Sequence, residues 1–217
     1  MLKMDFKNAS NTALVLANLI PLIGVVFYGW DAVLVLALFW IENLIIGAFN
    51  VIKMASVVIY HRSWGKAGLP FFFIIHFGLF WTIHGIILWD ILGFNSVDPN
   101  IVFNTNLHRA LELPAEGAAI MVSFIKLHSP IIWLGLCGLI MSHLVSFIEH
   151  FLLRGEIFNK DVNVLMSEPY KNVVALHVGL LGGAFLLNYF ESPIWLLAII
   201  VLLKMLYDAR ASVAHTP

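Results

Sequence analysis

With 217 residues, 61% of them hydrophobic and 12% charged, the chain lacks the charged residues for an ordinary solvated surface, since soluble domains carry about a quarter. The net charge of −1 says nothing about nucleic acid, but the sequence has no basic tract that would bind it. The single cysteine, Cys137, excludes an internal disulfide and any paired-cysteine metal motif. Mean hydropathy is +0.92, and several apolar runs reach the roughly 20 residues that cross a bilayer core. The expected fold class is all-α, a polytopic membrane helix bundle forming one transmembrane domain over residues 1–217.

A short polar lead, Met1 to Asn11, carries Lys3 and Lys7 and precedes a first span over 12–28. It has the charge of a signal peptide, but no small-residue cleavage site follows, so the segment is read as retained. A second span covers 31–60, near thirty residues, and must tilt or project past the headgroups. The third covers 69–92 and holds His76 and His84. The connection 94–129 reads as two short helices, Asn104 to Leu113 and Gly117 to Leu127, the second too short to span and placed flat at the interface. The fourth span, 131–153, carries His143, Glu149 and His150; the fifth, 172–189, carries His177; the sixth, 193–207, leads into Asp208.

Six spans put both termini on one side. Ten of the twelve Lys and Arg residues fall on that side, with only Arg109 and Lys126 opposite. The positive-inside rule then makes both termini cytoplasmic in a multi-pass cell (inner) membrane protein.

The polar residues within these spans carry the functional argument. Ionisable groups in lipid are costly and tend to mark pathways or sites. Glu42 and Asn43 stand a third of the way into one apolar run, and five of the nine histidines lie within spans: His76, His84, His143, His150 and His177. Residues seven apart on a 3.6-residue helix share a face, which places His143, Ser146 and His150 on one stripe and Asn43, Gly47 and Asn50 on another. Counted at 1.5 Å per residue, Glu42 and His143 lie roughly 16–18 Å below the outer surface, His177 and Lys204 at about the same level and His84 a little shallower. Lys204 and Asp208, four apart, are spaced to pair, and Lys53 reads as snorkelling to the cytoplasmic surface. Gly179 and Gly183 give a spacing that suits close helix packing.

Imidazole and carboxylate together are ligands for a divalent metal, zinc first. His76, His143, His150, His177 and Asp208 form the candidate ligand pool. Glu42 would be the catalytic base or a partner behind a ligand histidine, oriented by Asn43. Against this, the chain has no HExxH or HxxxH spacing, and histidines in membrane helices also serve as interhelical hydrogen-bond partners.

The element Phe39-Trp40-Ile41-Glu42-Asn43, continued as Ile46-Gly47-Ala48-Phe49-Asn50 and Lys53, resembles DUF6498, a family of uncharacterised bacterial and archaeal membrane proteins. The resemblance implies a prokaryotic inner membrane and no particular activity. The leading expectation is therefore a metal-dependent membrane hydrolase acting on a lipid or other amphipathic substrate. The alternatives are a small-solute or proton-coupled transporter, with Glu42, His84 and His143 as relay groups, and a structural membrane subunit.

Overall fold

The computed structural model describes residues 22–92, 109–127 and 131–170, together with 173–174, 177–179, 189, 192–195 and 197–203. Among them the regular structure is helical, without a strand. Helix α1 is residues 22–28, α2 is Ala32–Tyr60, α3 is Gly68–Ile91, α4 is Arg109–Leu127 and α5 is Ile131–Ser146. A π-helical segment, Phe147–Leu153, continues α5, and two short helices follow, α6 (Glu156–Asn159) and α7 (Val162–Ser167). Contacts gather in two units, 1–36 with 174–217, and 37–173.

Three helices are long and apolar enough to cross a membrane: Ala32–Tyr60, Trp64–Ile91 and Ile132–Leu153. They match the second, third and fourth spans expected from the sequence. The others, 12–28, 172–189 and 193–207, lie partly outside the described residues. Large apolar side chains cover the outer faces, among them Phe71, Ile75 and Leu134, the last 79% exposed. Contiguous apolar surface of this kind is foreign to a soluble monomer.

In the first unit, Gly29 takes the left-handed conformation (φ 67°) that ends α1. The ring of Trp30 folds back over Gly24, where any Cβ would clash. Asp31 then caps α2, its Oδ1 accepting from the Val33 N–H at 2.8 Å. Gly179 sits against Ile200, the close approach its small size suggests.

In the second unit, α2 and α3 are joined by two tryptophans. Their rings stack 4.5 Å apart, 5° from parallel. Each indole N–H donates to the other residue's carbonyl: Trp40 Nε1 to Trp81 O at 2.8 Å, and Trp81 Nε1 to Trp40 O at 3.1 Å. The Trp40 ring lies so close over Gly85 that a Cβ there would stand 2.2 Å from it. Further along, Gly47 receives the ring of Phe77. Below these contacts lies a core of Met54, Val57 and Val58 from α2, Phe73 and Phe77 from α3, Phe151, and Val162 and Leu165 from α7.

Just past the end of α2, Arg62 takes a left-handed conformation, with φ of 50°. Ser63 N–H reaches Val58 O and Arg62 N–H reaches Ile59 O, the pattern a left-handed residue makes at a helix end. Pro70 is tolerated in the first turn of α3, where N–H groups have no partner within the helix.

The connection corrects the expectation of two short helices. Its described part is one 19-residue helix, α4, with Pro114 inside it. Proline removes a single N–H near this end, and packing along α3 outweighs that loss. Gly117 fits against Trp81 and Thr82, and Phe124 sits edge-on to Trp89 at 4.9 Å, with Trp40 6.1 Å away. The order of these contacts shows α4 running in the same direction as α3.

Gly85→Ala should destabilise the protein by about 1–3 kcal/mol, the usual cost of overpacking. Gly78, with open space at its Cβ position, should tolerate alanine without loss. Thermal denaturation of both variants in detergent checks the contrast.

Candidate functional site

At about 100° per residue, Glu42, Ile46, Phe49 and Lys53 share the face of α2 opposite Trp40. Helix α5 lies along that face: Leu38 packs on Gly135, and Phe49 lies near both His143 and Phe147. Glu42 and His143 meet there, with Oε1 3.6 Å from Nε2. Both are mostly covered, their side chains 15% and 26% exposed. An acid and an imidazole so placed form an ion pair when the ring is protonated.

His143 also opens onto a cleft of about 220 Å³. Its walls are Ile46, Phe49, Asn50 and Lys53 of α2, His143 and Ser146 of α5, and Glu168 and Pro169 after α7. Asn50 is buried and holds α7 in place, donating from Nδ2 to Leu165 O at 2.9 Å. The Lys53 ammonium stands 5.7 Å from the centre of the Phe151 ring, within range of a cation–π interaction. Glu168 is bonded to Lys160 at 2.8 Å, and Glu156 pairs with the same lysine at 3.1 Å. Burial alone would lower the Lys160 pKa, but the bonds and charges of Glu168 and Glu156 outweigh it and hold the ammonium above its ordinary value.

A second ionic link fastens the segment that closes this end. Asp161 caps α7 by accepting from the Asn163 N–H at 2.8 Å, and it pairs with Lys66 at 2.5 Å. The Lys66 hydrogen bond, then those from Asn163, lower the Asp161 pKa from 3.8 to about 2.

The structure brings Glu42 and His143 together and gives His76 and His150 other partners. His76 shares a 2.6 Å hydrogen bond with the Tyr170 hydroxyl and sits among Phe72, Phe80 and Tyr170. His150 donates to Ser146 O at 3.3 Å and is absent from the walls of the cleft. The reason is the π segment. Its i→i+5 bond, Arg154 N–H to Glu149 O, takes an extra residue per turn and breaks the seven-residue stripe expected of an α-helix. His177 belongs to the other unit, on its surface. Asp208 and Lys204 lie outside the described residues. No group of three or more His, Cys, Asp or Glu side chains able to hold a metal forms among the described residues.

Asn43, expected to orient Glu42, turns back on its own helix. Its Nδ2 donates to Phe39 O at 2.8 Å, while Oδ1 is buried with no partner among the described residues. His84, almost fully buried, donates from Nδ1 to Phe80 O at 2.6 Å. Sequence reasoning missed three participants: Lys53 as a cleft residue, Glu168, and Tyr170. Only Lys53 left a signal, eleven residues after Glu42 and so on the same face of α2.

The family model of DUF6498, a family of unknown function, matches residues 1–216. The chain belongs to that family. No curated protein and no solved structure matches it. What this DUF6498 member does must therefore be argued from its own side chains.

Because the folded Asp161 pKa lies below 3.8, its contribution is complete above about pH 4 and is lost as pH falls through about 2. Asp161→Asn should flatten the acid limb of stability in that window. An acid titration followed by circular dichroism in detergent, wild type beside variant, measures it.

Proposed function

We propose that this DUF6498 protein is a multi-pass carrier in which Glu42 and His143 exchange a proton as a small solute enters the adjoining cleft. The reading includes the six-span topology with both termini cytoplasmic. Three described helices with the length and apolarity of spans support it, as does the ten-to-two division of basic residues read from the sequence. The observation that carries it is the acid–imidazole pair 3.6 Å apart, one member of which lines a polar cleft within apolar helices.

Intramembrane acids and histidines are the groups from which proton relays are built, and imidazole changes charge near neutral pH. A proton on His143 is held by the Glu42 carboxylate and adds a positive charge to the cleft wall. Its loss removes that charge from the wall, so occupancy of the cleft and protonation of the pair are linked through one short contact. The charged groups facing this region are Lys53 from α2 and Glu156, Lys160 and Glu168 from the segment around α6 and α7.

The hydrolase reading asks for a metal and several ligands around it. The carrier reading needs only the pair and the cleft, and on that ground it is preferred. Metal content separates them. Purified protein holding about one metal per chain, lost in His143→Ala, would return the centre to hydrolytic chemistry.

The direct test uses protein in liposomes containing a pH-sensitive dye. In the presence of a translocated solute, wild type should dissipate an imposed proton gradient, and Glu42→Gln should slow this at least tenfold. Equal rates in the two proteins would sink the proposal.

A further inference from the structure

We infer that the cleft binds a small carboxylate anion, with the Lys53 ammonium as its anchor. The inference rests on the carrier reading for the identity of the cleft as the solute site. Three features of the wall favour an anion, and a singly charged one.

First, among the described residues no carboxylate is bonded to the Lys53 ammonium, although Glu156 and Glu168 lie near enough to attract it. Among the described residues it makes no ion pair; its contact is the face of Phe151. The acids that face it, Glu156 and Glu168, both bond to Lys160 instead. A lysine inside an apolar helix without a carboxylate is an expensive arrangement, and an anion in the cleft would relieve it.

Second, two further groups of the wall can donate. Ser146 presents a hydroxyl, and His143 presents a ring that donates when protonated. The Asn50 amide is already given to Leu165 O. Lys53, Ser146 and protonated His143 together match a carboxylate, which accepts through two oxygens.

Third, charge and size set a limit. Glu168, the acid of the wall, is bonded to Lys160, which it shares with Glu156, and Lys53 is the one ammonium among the described residues that borders the cleft. No arginine, the usual partner for phosphate, is among the residues of the wall. The volume of about 220 Å³ equals about seven waters at their share of liquid volume, enough for a short acid. A longer acid would share the same head contacts and lay its tail elsewhere.

The experiment is equilibrium binding of radiolabelled probes to detergent-purified full-length protein at pH 6. The probes are butyrate, laurate and, as a cation of matching shape, butylammonium. Butyrate or laurate should saturate near one per chain, at least tenfold weaker in Lys53→Gln and restored in Lys53→Arg. Tighter laurate marks a membrane-borne acid, and tighter butyrate a soluble one; either supports the site.

Three results overturn it: butylammonium binding in place of the acids, acid binding unchanged in Lys53→Gln, or neither acid binding to wild type. The comparison between acid and amine is made on wild type, so the test survives a variant that fails to fold. Lys53-dependent binding in a protein that moves no proton would end the carrier reading and leave the anion site standing.

Discussion

The reciprocal tryptophan pair governs how the 37–173 unit is arranged. Lipid removes most of the hydrophobic drive for helix association, so packing and interhelical hydrogen bonds must supply it. Trp40 and Trp81 supply both, with a stacked contact and two N–H···O bonds. Aromatic pairs contribute about 0.5–1.5 kcal/mol beyond their buried area. The greater consequence is geometric. Each carbonyl serves its own helix and also an indole from the neighbour, so neither helix can rotate or slide by one residue without losing a bond.

Fixing α2 at Trp40 fixes everything on its opposite face. Glu42, Phe49 and Lys53 are held away from α3 and toward α5, while Gly85 and Gly117 admit the rings that hold α3 and α4 in place. At the far end, the π segment plays the complementary part. It brings Phe151 into the core beneath Lys53 and removes His150 from the cleft. Asn50, bonded to Leu165 O, and Lys66, bonded to Asp161, then tie the α7 segment across this end. The cleft is the space left between two rigid fastenings.

Much of this was legible in the sequence, and the reasons for the rest are specific. Spans at 31–60, 69–92 and 131–153 followed from apolar length alone, and the structure places their ends within a residue or two. Glu42 and His143 were singled out because charge in an apolar run is rare, and depth set them at one level, but it set His177 and Lys204 there too and could not choose the pair. His150 was misplaced because a seven-residue stripe assumes 3.6 residues per turn throughout, and no residue between Phe147 and Leu153 announces a π-helix. The His76–Tyr170 bond spans 94 positions, a pairing no local pattern reveals. Two helices were expected around Pro114 because proline commonly breaks one; here packing against Trp81 and Thr82 prevails.

The polar residues of the cleft are poorly explained as helix glue. A structural role predicts that each buried polar group finds a partner within the protein, as Asn50 does with Leu165 O and the two indoles do with each other. Lys53 departs from that pattern, since Lys160 occupies both nearby acids and leaves it an aromatic face. The Glu42–His143 pair also adds little as an adhesive. Desolvating an ion pair offsets most of its attraction, and apolar residues of similar size commonly stabilise as well or better. Stability therefore gives little reason for an acid and an ammonium on one face of α2 with an imidazole of α5 beside them. The proposed uptake of a proton and an anion together would account for all three.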